Sequence, residues 1–184
     1  MQTQLRLFFA IPLPDAVRQQ IHRLMQDLRQ QFPAKTIRWI PLNNLHITLR
    51  FIGACASNQL LPLISATQDA LATYPAFSFE LSKLQFFPPR HPHILILNVA
   101  PNNELTQLNQ ILEQTLQALG FAAELRAFSP HLTLARWQKP PANSVLPTQL
   151  PHISSIWVEQ IILYNSQLST SPPCHEPLAH FNLV

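Results

Sequence analysis

Two short, nearly identical stretches carry the residues of this chain that could do chemistry: His46-Ile47-Thr48-Leu49, and 85 positions later His131-Leu132-Thr133-Leu134. Each sits in an apolar run bounded by turn-forming or helical sequence, the pattern of a buried strand. Side chains alternate faces along a strand, so His46 and Thr48 point one way together, as do His131 and Thr133. If the two strands meet, two imidazoles and two hydroxyls converge on one cleft. Histidine changes charge near neutrality, so one ring can stand neutral as a base while the other is protonated as an acid. Two such rings around a small anion-sized space suit displacement at a phosphodiester. One ring takes a proton from attacking water and the other gives one to the departing sugar oxygen. Neither step requires a metal ion. The threonine hydroxyls can donate to non-bridging oxygens, where charge grows in the transition state. A cyclic phosphate fits especially well, because its strained ring opens readily.

Two arginines follow the motifs. Arg50 shares strand parity with His46 and Thr48, so it should face the same cleft and hold a phosphate oxygen. Arg136 lies five residues beyond His131 and by strict alternation points away. It reaches the site only if the strand ends or bulges there.

The elements that must position these groups are legible in outline. Leu5–Ile11 reads as a first strand, ended by Pro12 and Pro14. From Asp15, the stripe Val17, Ile21, Leu24, Met25, Leu28 predicts an amphipathic helix that stops before Pro33. The first motif strand runs His46–Ile52 and ends at Gly53. A weaker helical pattern follows from Leu60 to Leu71. Ala76–Leu84 alternates as a half-buried strand, Phe86-Phe87-Pro88-Pro89 reads as a rigid connector, and His93–Val99 as another strand. Leu105, Leu108, Ile111, Leu112, Leu116 and Leu119 form the clearest helical stripe, with Asn102 or Asn103 as cap and Gly120 at its end. The second motif strand is His131–Arg136. Pro140 and Pro141 open a loop, Ile156–Leu163 is a further strand, and Phe181–Val184 closes the tail. The order strand, helix, motif strand thus occurs twice, over Leu5–Ile52 and His93–Arg136, a coarse internal duplication.

Composition bounds the rest. With 184 residues and 47% hydrophobic content the chain can bury one sizeable core, and a single domain of two lobes is expected. Charged residues make up only 11%, and the net charge of +3 with a pI near 9.2 suits an anionic ligand without a polybasic tail. Cys55 and Cys174, without a CxxC or zinc spacing, point to a reduced compartment and inert thiols, hence a cytoplasmic location. Met1–Pro14 lacks the features of a signal peptide, and no uninterrupted apolar stretch spans a bilayer. His91 and His93, and the tail residues Cys174, His175, Glu176 and His180, are assigned surface or strand roles, and no metal or other cofactor is expected. Trp39, Trp137, Phe86 and Phe87 could stack on a base but read better as packing.

The longer blocks RLFFAIPLP, RWIPLNNLHITLRFIG and FSPHLTLAR resemble those of the two-histidine (2H) phosphoesterases, and within them the bacterial and archaeal RNA 2′,3′-cyclic phosphodiesterases, also called 2′-5′ RNA ligases. The resemblance covers nearly the whole chain. It implies an α+β, bilobal, pseudo-symmetric fold in which two antiparallel sheets line a central groove with helices outside. It also implies hydrolysis of RNA 2′,3′-cyclic ends to 2′-phosphomonoesters, possible reverse 2′-5′ joining, and an RNA or oligonucleotide end as partner of a monomeric enzyme. Within it His46 is the proton donor, His131 the acceptor, and Thr48, Thr133 and Arg136 lie near the phosphate. Similar members often carry Gly and Tyr near the C-terminus, where Ser171–His175 here reads SPPCH, which leaves contacts from the last loop open. The competing readings are a groove that holds a nucleotide or RNA end without turnover, and a 2H enzyme for a small cyclic nucleotide.

Overall fold

The computed structural model describes residues 4–32, 36–138, 145–167 and 173–184. Pro33, Lys139, Pro140, Pro141, Ser171 and Pro172 lie outside them. The elements in chain order are β1 (Gln4–Pro12), α1 (Asp15–Gln31), β2 (Arg38–Trp39), β3 (His46–Ala56), α2 (Leu60–Leu71), β4 (Phe77–Phe79), β5 (Leu81–Phe87), β6 (Ile94–Val99), α3 (Asn103–Ala118), β7 (His131–Arg136), β8 (Ile156–Val158), β9 (Gln160–Gln167) and β10 (Cys174–Asn182).

The main sheet has the order β10-β9-β1-β3-β7-β6-β5, with β2 on β7, and every pair is antiparallel. Its two halves, β10-β9-β1-β3 and β7-β6-β5, meet through the single registered pair Ile47↔Leu132. The two sheets expected from the resemblance are therefore joined edge to edge, and the join runs through the two motifs. β4 and β8 form a separate two-stranded sheet.

The two motif strands are paired alike in the two halves. β1 pairs β3 as β6 pairs β7: Ile11↔Ile47 and Pro12↔His46 in one half, Leu97↔Leu132 and Asn98↔His131 in the other. Each half carries its helix between those strands. On α1 the residues Val17, Ile21, Leu24, Met25 and Leu28 are buried, and on α3 Leu105, Leu108, Leu112 and Leu116. Asn102 caps α3, its side-chain oxygen accepting from the Leu105 N–H at 2.7 Å, and Gly120 ends it at φ 83°.

Several boundaries differ from the sequence pattern, among them β3, which runs past Gly53 to Ala56. The stretch 76–84 breaks at Glu80, where the chain leaves the small sheet for the main one, and Ile156–Leu163 breaks likewise at Glu159. The Glu80 and Glu159 carbonyls accept from Ala100 and Leu183 N–H groups instead of a strand neighbour. β5 continues through Phe86 and Phe87, which are strand and not connector. The tail forms a nine-residue strand, β10, on the sheet edge. Its sequence hid this because Pro177 interrupts the run, yet an edge strand with a register shift between Pro177 and Ala179 accommodates a proline. Among the described residues no helix is long and apolar enough to cross a membrane.

Candidate active site

One cleft of about 750 Å³ opens over the junction of the half-sheets, and His46, Thr48, His131, Thr133 and Arg136 all line it. The register explains the convergence. Pairing Ile47 with Leu132 in antiparallel strands sets His46 opposite Thr133 and Thr48 opposite His131, with the two histidines on a diagonal, all on the face opposite the buried Ile47, Leu132, Leu49 and Leu134.

Beyond the motifs, two bulges decide which side chains arrive. In β3, Phe9↔Arg50 is followed by Ala10↔Thr48, so Leu49 is an extra residue; in β7, Leu95↔Ala135 is followed by Ile96↔Thr133, so Leu134 is. The bulges occupy equivalent motif positions, and each reverses the parity of the residues after it. Arg136 is thereby turned into the cleft, by the route its spacing left open.

The same reversal corrects the expectation for Arg50. It points away from the cleft, 8% exposed, with Nε on Glu113 Oε2 at 2.5 Å, one terminal nitrogen on the Phe51 carbonyl and the other on the Ala122 carbonyl at 2.7 Å. Phe51 takes the place in the cleft that parity assigned to Arg50, and Arg6 stacks over its ring at 4.9 Å. Both bulges have partners for their carbonyls: Leu49 accepts from Asn109 Nδ2 at 2.8 Å and Leu134 from Ile40 N–H at 2.9 Å. Neither bulge leaves its carbonyl without a donor.

Both catalytic candidates are oriented alike. His46 Nδ1–H donates to the Asn44 carbonyl at 2.8 Å, and His131 Nδ1–H to the Ser129 carbonyl at 2.8 Å. A carbonyl can only accept, so each Nδ1 carries a proton and each neutral ring keeps Nε2 bare. The bare Nε2 of His46 accepts from the Thr48 hydroxyl at 3.1 Å. This is the tautomer a general base needs, and protonation makes the same atom an acid.

Their surroundings differ. His46 is packed among the rings of Phe8 (5.0 Å), His175 (5.4 Å) and Tyr164 (6.5 Å), whereas Phe87 stacks on His131 at 6.0 Å. Burial pushes the pKa of His46 from 6.5 to about 4; the Asn44 carbonyl works against that, and the positive charges of His175, Arg136 and His131 add to it. Because the folded-state value is depressed, the unfolded chain binds the proton more readily. Stability on this account is complete above pH 6.5 and declines as pH falls toward 4, by about 3 kcal/mol in all. Denaturant unfolding of the wild type and His46→Ala at pH 7 and pH 4.5 isolates the effect: the wild type should lose more stability on acidification than the variant by roughly that amount.

Arg6, Arg38, Phe8, Asn44, Ser166 and His175 also line the cleft and were not singled out from the sequence as site residues. Arg38 arrives because β2 sets it opposite Arg136. Arg6 and Phe8 share parity on β1, so alternation alone could have found them. Among the described residues no carboxylate lines the cleft, and three guanidinium groups do. Trp39 lines it as well, whereas Trp137 is buried with Nε1–H on the Pro92 carbonyl at 3.0 Å.

A family model described as LigT like Phosphoesterase matches residues 11–97 and 96–172. The RNA 2′,3′-cyclic phosphodiesterase of Geobacillus stearothermophilus is 32% identical over 181 residues, covering 96% of this chain; the chain spans 57% of that relative's length. The protein of the same description from Bacillus subtilis (strain 168) is 28% identical, covering 92% of both chains. Among solved structures, E. coli LigT complexed with 3′-AMP superposes with a TM-score of 0.84 at 27% identity over 99% of both chains.

Proposed function

Because the chain belongs to the LigT-like phosphoesterase family, we propose that it hydrolyses 2′,3′-cyclic phosphate ends of RNA or oligonucleotides to 2′-phosphomonoesters. The observation that carries this reading is the pair of Nδ1-anchored imidazoles, His46 and His131, on the wall of one cationic cleft. Water attacks phosphorus as His131 Nε2 takes its proton; the bond to the 3′-oxygen breaks as His46 Nε2–H protonates that oxygen. Thr48, Thr133 and Arg136 receive the growing charge on the non-bridging oxygens. A 5′-hydroxyl taking the place of water gives a 2′–5′ linkage by the same steps.

The low proton affinity of His46 in the free cleft suits this role. A phosphoryl anion offsets the surrounding positive charge, so the ring gains its proton as substrate binds. Binding of inorganic phosphate near pH 5.5 should therefore take up protons, read as a dependence of the calorimetric heat on buffer ionisation enthalpy. Equal heats in all buffers would contradict it.

Arg136→Met should raise KM or the phosphate Kd by about 10- to 100-fold, the loss of a hydrogen bond between charged groups, measured by steady-state kinetics. The activity itself is tested by incubating purified protein, with EDTA present, with an RNA ending in a 2′,3′-cyclic phosphate. A 2′-phosphate product is expected; binding with no product across RNA ends and small cyclic nucleotides would overturn the proposal.

A further inference from the structure

The cleft contains a third imidazole. His175, at the start of β10 opposite Ser166 of β9, lines the cleft with its ring edge-on to His46 at 5.4 Å and to Phe8 at 5.0 Å. It is held where it is by the residue that orients His46. Asn44 accepts from His46 Nδ1–H through its carbonyl, and its Nδ2 donates at 2.7 Å to the carbonyl of Pro173, two residues before His175. The two rings therefore share one anchor.

The nitrogens of His175 are not equivalent. Nδ1 is buried and has no hydrogen-bond partner among the described residues. A buried acceptor without a partner costs less than a buried N–H without one, and orphaned donors are the rarer of the two. The neutral ring thus carries its proton on Nε2. Charging the ring would place a second N–H⁺ in the buried position, beside His46 and in a cleft already lined by Arg6, Arg38 and Arg136. Burial works in the same direction on its proton affinity.

We propose that His175 is a substrate-binding residue of this site, donating from Nε2–H to a non-bridging oxygen of the phosphoryl group held between His46 and His131. It supplies a neutral donor beside His46, where a lysine or arginine would suppress the protonation that His46 must undergo. The inference rests on the phosphoesterase reading for the identity of the anion, and its test separates the two.

In wild-type protein, ¹⁵N spectra of the imidazoles should show His175 as the Nε2–H tautomer at pH 7, with that proton shifting when inorganic phosphate is added. An Nδ1–H tautomer, or no response to phosphate, overturns the assignment. His175→Phe keeps the ring edge against Phe8 and should raise the Kd for inorganic phosphate about tenfold, one charge-assisted hydrogen bond, without lowering Tm. His175→Gln, which keeps a donor, should recover part of the loss. Unchanged phosphate affinity in His175→Phe, or a loss confined to nucleotides and absent for inorganic phosphate, refutes it. If the wild type turns over no cyclic phosphate yet His175→Phe weakens phosphate binding as stated, the hydrolase reading fails and the contact stands.

Discussion

His46→Ala and His131→Ala should each lower kcat for a 2′,3′-cyclic phosphate by about 10²- to 10⁴-fold, the usual worth of one positioned proton transfer. Tm at pH 7 should stay near that of the wild type, because each ring stands at the cleft wall and not in the apolar core. The double variant should lose little more than the worse single one, since attack and departure at phosphorus are one event and half of the machinery is as good as none. The substrate can be used to tell the roles apart. With a p-nitrophenyl phosphodiester the leaving oxygen needs no proton, so the loss in His46→Ala should shrink while that in His131→Ala persists. The reverse pattern would exchange the assignments. Full turnover in both variants would remove the two-histidine mechanism altogether.

How much of this was visible in the letters depends on the range of the physics involved. The motif faces follow from strand alternation, a rule local to three residues, and the structure places His46, Thr48, His131 and Thr133 in one cleft accordingly. Arg50 and Arg136 were reachable by the same rule only while the strands stayed regular. The bulges at Leu49 and Leu134 depend on partners far away in sequence, Asn109 for one and Ile40 for the other, and no local pattern announces them. His175 was hidden for a related reason. Its segment has weak strand character and a proline, and becomes a strand only because β9 offers an edge to pair with. The helical stripes of α1 and α3 were the easiest elements to find, since their periodicity reports directly on which face is buried.

The displaced Arg50 carries a consequence of its own. Its guanidinium and the Glu113 carboxylate form a largely buried ion pair, 8% and 18% exposed. Around it the network is closed: Glu113 Oε1 accepts from Gln117 Nε2 and from the Glu124 N–H, each at 2.9 Å, while Arg50 holds the Ala122 carbonyl. The pair therefore ties three things together: β3 just past its bulge, α3, and the segment that leads from Gly120 toward His131. Asn109, one turn before Glu113 on α3, holds the bulge carbonyl itself. Arg50→Met leaves the partly buried Glu113 without its counter-charge and the Ala122 carbonyl without its donor, and should cost about 1–3 kcal/mol in denaturant unfolding at pH 7. Replacing both partners, Arg50→Met with Glu113→Met, removes the stranded charge and should recover much of that loss, since an apolar pair of similar volume does nearly as well in such a site. Activity should not follow stability back. The double variant still lacks the link from β3 to the loop before His131, so kcat should remain depressed while unfolding approaches the wild type. Recovery of both together would reduce the pair to a stabilising contact with no part in placing the second histidine.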